Sequence, residues 1–174
     1  MYLVAFLILL GVSNLALSAF GTSVDNIKRS MTPSLQYMVT QDHKLTLDEA
    51  RASSAWQTVA GKADFGFSQP DYWFYLDLTP FYKDNERQLL ELGWLMIDIV
   101  DAYVYVDDKL HKHMQSGDNL DFSVRSMDHR DLIFPLPLVE DAKRIEIFFH
   151  VATKGSMKMP LFLWDEDEFS VREQ

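Results

Sequence analysis

The chain has 174 residues, 48% of them hydrophobic and including 12 Phe, 7 Tyr and 4 Trp, a composition that excludes disorder and supplies a packed core. Its formal charge of −10, from 26 acidic and 16 basic residues, argues against nucleic acid and anionic membrane surfaces as partners. Without cysteine it has no disulfide, no thiol nucleophile and no thiolate metal site.

Residues 1–24 carry no charged side chain, and 2–10 are an unbroken apolar run followed by the small residues Ala16, Ser18 and Ala19. That run is too short for a bilayer span and reads as a signal peptide over 1–19, although no Lys or Arg precedes it; an uncleaved anchor is the alternative. Cleavage would leave about 155 residues in the periplasm, enough for one domain. The remainder divides into a flexible polar lead-in (20–34), one folded domain (35–169) and a short end (170–174) after the acidic run Asp165-Glu166-Asp167-Glu168. That run lacks the glycine-punctuated alternation of a calcium loop.

The domain opens with a strand at 35–40, where Leu35, Tyr37 and Val39 alternate with polar or flexible residues. Thr46-Leu47-Asp48-Glu49 fits a capping box, so a helix of about three turns should run to near Val59 and end at Gly61, with Leu47, Ala50 and Trp56 inward. Strands follow at 73–79, 88–95, 99–106, 110–115, 131–136, 144–151 and 161–164, each rich in aliphatic and aromatic residues and bounded by turn formers. Ile145, Ile147, Phe149 and Val151 share one face of the strand at 144–151, and Asp107-Asp108 fits a tight hairpin turn. About eight strands without strand–helix alternation predict a mainly β fold, a two-sheet β-sandwich with one short N-terminal helix.

Enzyme signatures are scarce: the sequence has no Gly-x-Ser-x-Gly elbow, no phosphate-cradling loop and no His-Glu-x-x-His. Glu91, Asp98, Asp101 and Asp118 flank strands and could pair for glycoside hydrolysis, or stand as solvated or salt-bridged acids. His111 and His113 are two apart on a strand, but two histidines beside Lys109 and Lys112 do not make a metal site. These patterns call for no metal and no cofactor.

Binding is the stronger class. Tyr72, Trp73, Tyr75 and Trp94 are candidate platforms for a sugar face, and Glu91, Arg125, His129 and Arg130 are candidate partners for its hydroxyls. The same residues also suit a structural role, Trp73 and Trp94 in the core and Arg125 and Arg130 paired with Glu91 or Asp118.

The ordered series Phe65-Gly66-Phe67-Ser68, Tyr72-Trp73-Phe74-Tyr75, Leu90-Glu91-Leu92-Gly93, Gly117-Asp118, Phe122, Arg125, His129-Arg130 and Phe134-Pro135-Leu136 spans most of the domain. It resembles the second extracellular domain type of bacterial seven-transmembrane receptors with diverse intracellular signalling modules. The resemblance implies a jelly-roll-like module similar to carbohydrate-binding domains, serving as the sensory end of diguanylate cyclases or histidine kinases. It transfers at Trp73, Glu91, Gly117, Asp118, Phe122, Arg125, Arg130 and Phe134, with Phe67 as a further structural position. Phe74-Tyr75 and Asp108 depart from the family pattern. Receptors of this kind continue into transmembrane helices at about this point, and no later stretch here is long and apolar enough to span. The expected function is non-catalytic sensing of a carbohydrate-like or other small polar ligand. A periplasmic interaction module, forming a homodimer or pairing with another domain, is the alternative, and a glycoside-processing enzyme a third.

Overall fold

A computed structural model describes residues 28–40, 45–67 and 70–172, so the expected signal peptide and most of the lead-in lie outside the described residues. All eight expected strands form, as β2 (Gln36–Thr40), β5 (Asp71–Asp77), β6 (Gln88–Leu92), β7 (Ile99–Val106), β8 (Lys109–Ser116), β9 (Leu132–Pro135), β10 (Ile145–Ala152) and β12 (Leu161–Asp165). Four short strands join them: β1 (Lys28–Ser30), β3 (Gln57–Thr58), β4 (Asp64–Phe67) and β11 (Ser156–Lys158). Residues 28–34, assigned from sequence to the flexible lead-in, are therefore partly structured. β1 pairs antiparallel with β12, a 3-10 turn covers Thr32–Ser34, and Met31 between them is buried in the core.

The strands build a four-stranded sheet in the order β1-β12-β6-β9, a six-stranded sheet in the order β3-β2-β5-β10-β7-β8, and a small β11-β4 ribbon. The two large sheets pack face to face. Strand alternation sends Phe74, Leu76, Val100, Val104, Ile147 and Phe149 from one sheet toward Leu90, Leu92, Phe134, Leu161 and Leu163 of the other. Phe134 and Phe149 meet edge-on with centroids 5.4 Å apart. Both are fully buried, so truncating either to Ala costs about 3–5 kcal/mol.

Each sheet also has a covered outer face. The helix α1 (Leu47–Ala52) begins at the expected capping box: the Glu49 amide donates to Thr46 Oγ1 at 3.3 Å, and the Thr46 amide donates to Glu49 Oε2 at 2.8 Å. It is shorter than the three turns expected. The Ser53 hydroxyl accepts from the Ala55 amide, competing with helical bonding, and the chain then turns into β3 at the edge of the six-stranded sheet. Ala50, Leu47 and Trp56 do pack inward, against Met38, Trp73, Tyr105 and Phe148. On the far side α2 (Glu166–Arg172) lays Phe169 on Leu89, Ile133 and Trp164.

The β7–β8 turn is the expected tight hairpin, with φ of 47° at Asp107 and 64° at Asp108. Aspartate is chosen here for its carboxylate: Asp107 Oδ1 accepts from the Lys143 and Arg144 amides at 2.9 and 3.0 Å, tying the turn to the start of β10. Among the described residues no helix is long and apolar enough to cross a membrane.

Candidate functional site

The antiparallel registers place Trp73, His150, Asp101 and Gln115 in one row across the outer face of the six-stranded sheet, with Tyr75, Phe148, Tyr103 and His113 in the next. The polar members interlock. His150 Nε2 lies 3.1 Å from Asp71 Oδ2, and its Nδ1 lies 4.0 Å from Asp101 Oδ2. Asp101 Oδ1 in turn lies 2.8 Å from His113 Nε2 and accepts from the Gln115 amide at 2.7 Å. Rings sandwich the chain, Trp73 against His150 at 4.9 Å and Tyr103 parallel to His113 at 4.4 Å. Asp71 and Asp101 are both buried, and burying carboxylates is tolerable only because each has these partners.

At the Asp71 end of this chain the face opens into a depression of about 600 Å³, lined by Ile99 and Ala152 together with the polar residues Asp71, Asp98, Asn119, Thr153 and Lys154. Three loops converge there. The Asn119 amide donates to the Asp98 carbonyl at 3.1 Å, and the Lys154 amide donates to Asp98 Oδ2 at 2.9 Å. Gly117 makes this approach feasible: its φ is +141°, and a Cβ at this position would lie 2.3 Å from the Asp98 carbonyl oxygen.

From Gly117 the loop 117–131 crosses the molecule to the outer face of the four-stranded sheet. Asp121 opens a 3-10 turn over Phe122–Val124, and bonds from the Ser123 hydroxyl and amide hold its carboxyl below the usual range. Arg125 then staples the loop, donating to the His129 and Arg130 carbonyls at 3.1 and 3.0 Å while its guanidinium covers the Phe122 ring at 4.5 Å. At its far end His129 rests edge-on against Phe169 of α2 at 5.1 Å, and Asp131 lies 3.7 Å from Arg172. Arg172 also reaches Glu91 Oε2 at 3.3 Å, an oxygen that accepts from the Trp164 indole at 2.5 Å. One loop thus touches both the depression and the C-terminal helix.

The residues singled out in the sequence do not form one cleft. Trp73 and Tyr75 lie on the outer face of the six-stranded sheet, where Trp73 is buried under its neighbours and exposes no platform. The Tyr75 hydroxyl donates to Glu146 at 2.7 Å; burial, and then this carboxylate, push the phenol up to about 12. Glu91, Arg125, His129 and Arg130 belong to the opposite side, around α2, and of these Arg130 is mostly exposed beside Asp131. Trp94 stands apart at the β4–β11 ribbon, donating to the Ser156 carbonyl at 3.0 Å. Among the structural positions, Phe134 is core, Phe122 supports Arg125, the Asp118 amide donates to the Ile97 carbonyl, and Phe67 is exposed.

Glu91 and Asp101 sit on opposite outer faces and cannot flank one glycosidic bond. His111 falls at the β7–β8 register shift and has no cross-strand partner in that ladder, and among the described residues no group of three His, Asp or Glu is placed to hold a metal ion. The sequence reading missed Asp71, His150, Asn119, Thr153 and Lys154. Asp71 and His150 carried a signal, as polar residues on the outward period of strands whose inward period is wholly apolar.

A comparison with curated proteins found no match. The family model described as 7TMR-DISM extracellular 2 matches residues 32–165, from the 3-10 turn ahead of β2 to the end of β12. It thus takes in the six-stranded sheet, the four-stranded sheet apart from its edge strand β1, the depression and the loop that leaves it, and the chain belongs to the 7TMR-DISM extracellular 2 family, extracytoplasmic sensory domains of receptors.

Proposed function

We propose that this domain is a non-catalytic periplasmic sensor that takes a small polar ligand of carbohydrate type in the depression beside Asp71 and reports its presence to α2 through the loop 117–131. The carrying observation is that this single loop lines the depression with Asn119 and meets α2 with His129 and Asp131. The lining suits a polyol. Asp71 and Asp98 accept from hydroxyls, Lys154 donates, and Asn119 and Thr153 do both. The aromatic residues act from behind, fixing the histidines and carboxylates rather than stacking on the ligand. A ligand bond to Asn119 pulls on a segment held at its other end by Arg125, so movement is delivered to the Phe169 and Arg172 contacts.

Calorimetry against peptidoglycan fragments, neutral oligosaccharides and small carboxylates tests the binding, and hydrogen exchange of α2 at saturation tests the relay. A sugar of one class should bind, and Asn119→Ala should weaken it roughly tenfold, the worth of a typical hydrogen bond. Folded protein that binds no member of the sugar panel sinks the ligand reading. Binding without a change in α2 exchange sinks the relay.

A further inference from the structure

We propose that the hollow where the turn after β5 meets β12 and α2 is a second ligand site, taking a small zwitterion of the α-amino acid type with its carboxylate on Arg29 and its ammonium on Glu168. The hollow has a volume of about 340 Å³, small for a ligand pocket, and Arg29, Phe81, Lys83, Leu163, Asp165 and Glu168 are among its lining residues. Strand registers make it. Arg29 stands opposite Leu163 and Gln88 opposite Asp165, so all four share the period of the four-stranded sheet that carries Leu163 into the core, and at this rim that period turns polar. The turn that walls the hollow is fixed in place. Buried Gln88 donates to the Phe81 carbonyl at 3.2 Å and accepts from the Lys83 amide at 3.0 Å, and the Tyr82 hydroxyl donates to the Pro137 carbonyl at 2.8 Å.

The occupant follows from the charges left open. Lys83 is ion-paired with Asp165 at 2.8 Å and with Glu86, so both Lys83 and Asp165 are engaged. Among the described residues Arg29 and Glu168 form no ion pair, either with each other or with another side chain. The Arg29 guanidinium lies over the Phe81 ring, 5.2 Å from its centroid, a contact that restrains it while using none of its N–H donors, which remain to grip a carboxylate in two parallel bonds. One open cation and one open anion on a single small hollow call for a ligand that carries both charges. A phosphate would meet the Asp165 and Glu168 carboxylates, a diamine would meet Arg29 and Lys83, and a polyol would leave both open charges unanswered. Phe81 and Leu163 offer apolar surface to a short aliphatic side chain. Because Arg29 is on β1 and Glu168 on α2, the bound zwitterion ties that strand to that helix. This hollow shares no lining residue with the depression beside Asp71, so the two sites stand or fall separately.

Calorimetry of the full chain with alanine, serine and leucine, each as both enantiomers, tests this. N-acetyl-leucine, which lacks the ammonium, and leucinamide, which lacks the carboxylate, read the two charges without touching the fold. At least one free amino acid should bind at millimolar concentration or below, and blocking either of its ends should weaken binding about tenfold or more. Arg29→Gln and Glu168→Gln should each do the same, the fold-change of one charge-assisted hydrogen bond. Both positions are exposed, so both variants should melt with the parent, and Leu110→Ser, an exposed position on β8 in the other sheet, should bind as the parent does. Hydrogen exchange at saturation should slow in residues 28–30 and 166–172. Folded protein that binds none of the three amino acids overturns the proposal, and so does binding that survives the blocked ends or either substitution. Protection confined to residues 117–119 and 152–154 overturns it as well, since the amino acid would then sit in the depression beside Asp71.

Discussion

Arg172→Ala is the sharpest probe of how α2 is held. Its guanidinium lies 3.3 Å from Glu91 and 3.7 Å from Asp131 and covers the Trp164 ring at 5.1 Å. The Glu91 side chain is only 6% exposed, and stripping the partner from a fully buried ion pair costs about 3–5 kcal/mol. Two facts reduce that figure. The Arg172 side chain is 34% exposed, so water screens the pair, and Glu91 keeps its bond from the Trp164 indole. A loss of about 2 kcal/mol remains, in the range for a hydrogen bond to a charged group. At about 2–4 °C per kcal/mol for a domain of this size, the melting temperature should fall by roughly 4–8 °C. A double-mutant cycle isolates the pair: in a Glu91→Gln background, where the carboxylate charge is gone, Arg172→Ala should cost at least about 1 kcal/mol less. Thermal melts of the four proteins supply the cycle, and hydrogen exchange should register the loss first in α2. An equal loss in both backgrounds would refute the reasoning, since the arginine would then act through packing on Trp164 alone.

Gly117→Ala should destabilise by roughly 2–3 kcal/mol, because the new methyl meets the Asp98 carbonyl and the backbone is in a region that L side chains rarely adopt; a wild-type melt would show that the loop can shift. The Tyr75 phenol, raised to about 12 by burial and then by Glu146, favours the folded state fully below the unfolded phenol value of about 10 and loses that contribution as pH rises toward 12. Tyr75→Phe should therefore remove the last step of the tyrosinate absorbance titration and flatten the loss of stability between those values, and an unchanged titration would place the high phenol elsewhere. Thr46→Ala should lower stability by about 1 kcal/mol by removing the cap of α1, with the β-dominated circular dichroism retained.

The eight strands of the main sequence pattern were legible because the inner faces of two packed sheets impose a period of two. β10 displays it fully, with Ile145, Ile147, Phe149 and Val151 in the core and His150 outside. The capping box and the Asp107-Asp108 turn were legible for a related reason, since both are settled by residues within four positions of one another. β1, β3, β4 and β11 were not: β1, β3 and β11 are only two or three residues long and carry no period, β4 is interrupted by left-handed Gly66, and all four exist as strands only through partners supplied from elsewhere in the chain.

The site was the part that tertiary structure decided. In β6 every residue is buried, since core covers one face and α2 the other, so alternation gives no hint that Glu91 faces Arg172 and Trp164 rather than a ligand. An arginine that grips carbonyls of its own loop, as Arg125 does, has the same sequence appearance as one that grips a sugar. Which role it takes depends on which sheet the loop crosses. Asp71, Asp98, Asn119 and Lys154 come from four separate segments, and only the antiparallel registers and the Gly117 turn bring their polar groups to one depression.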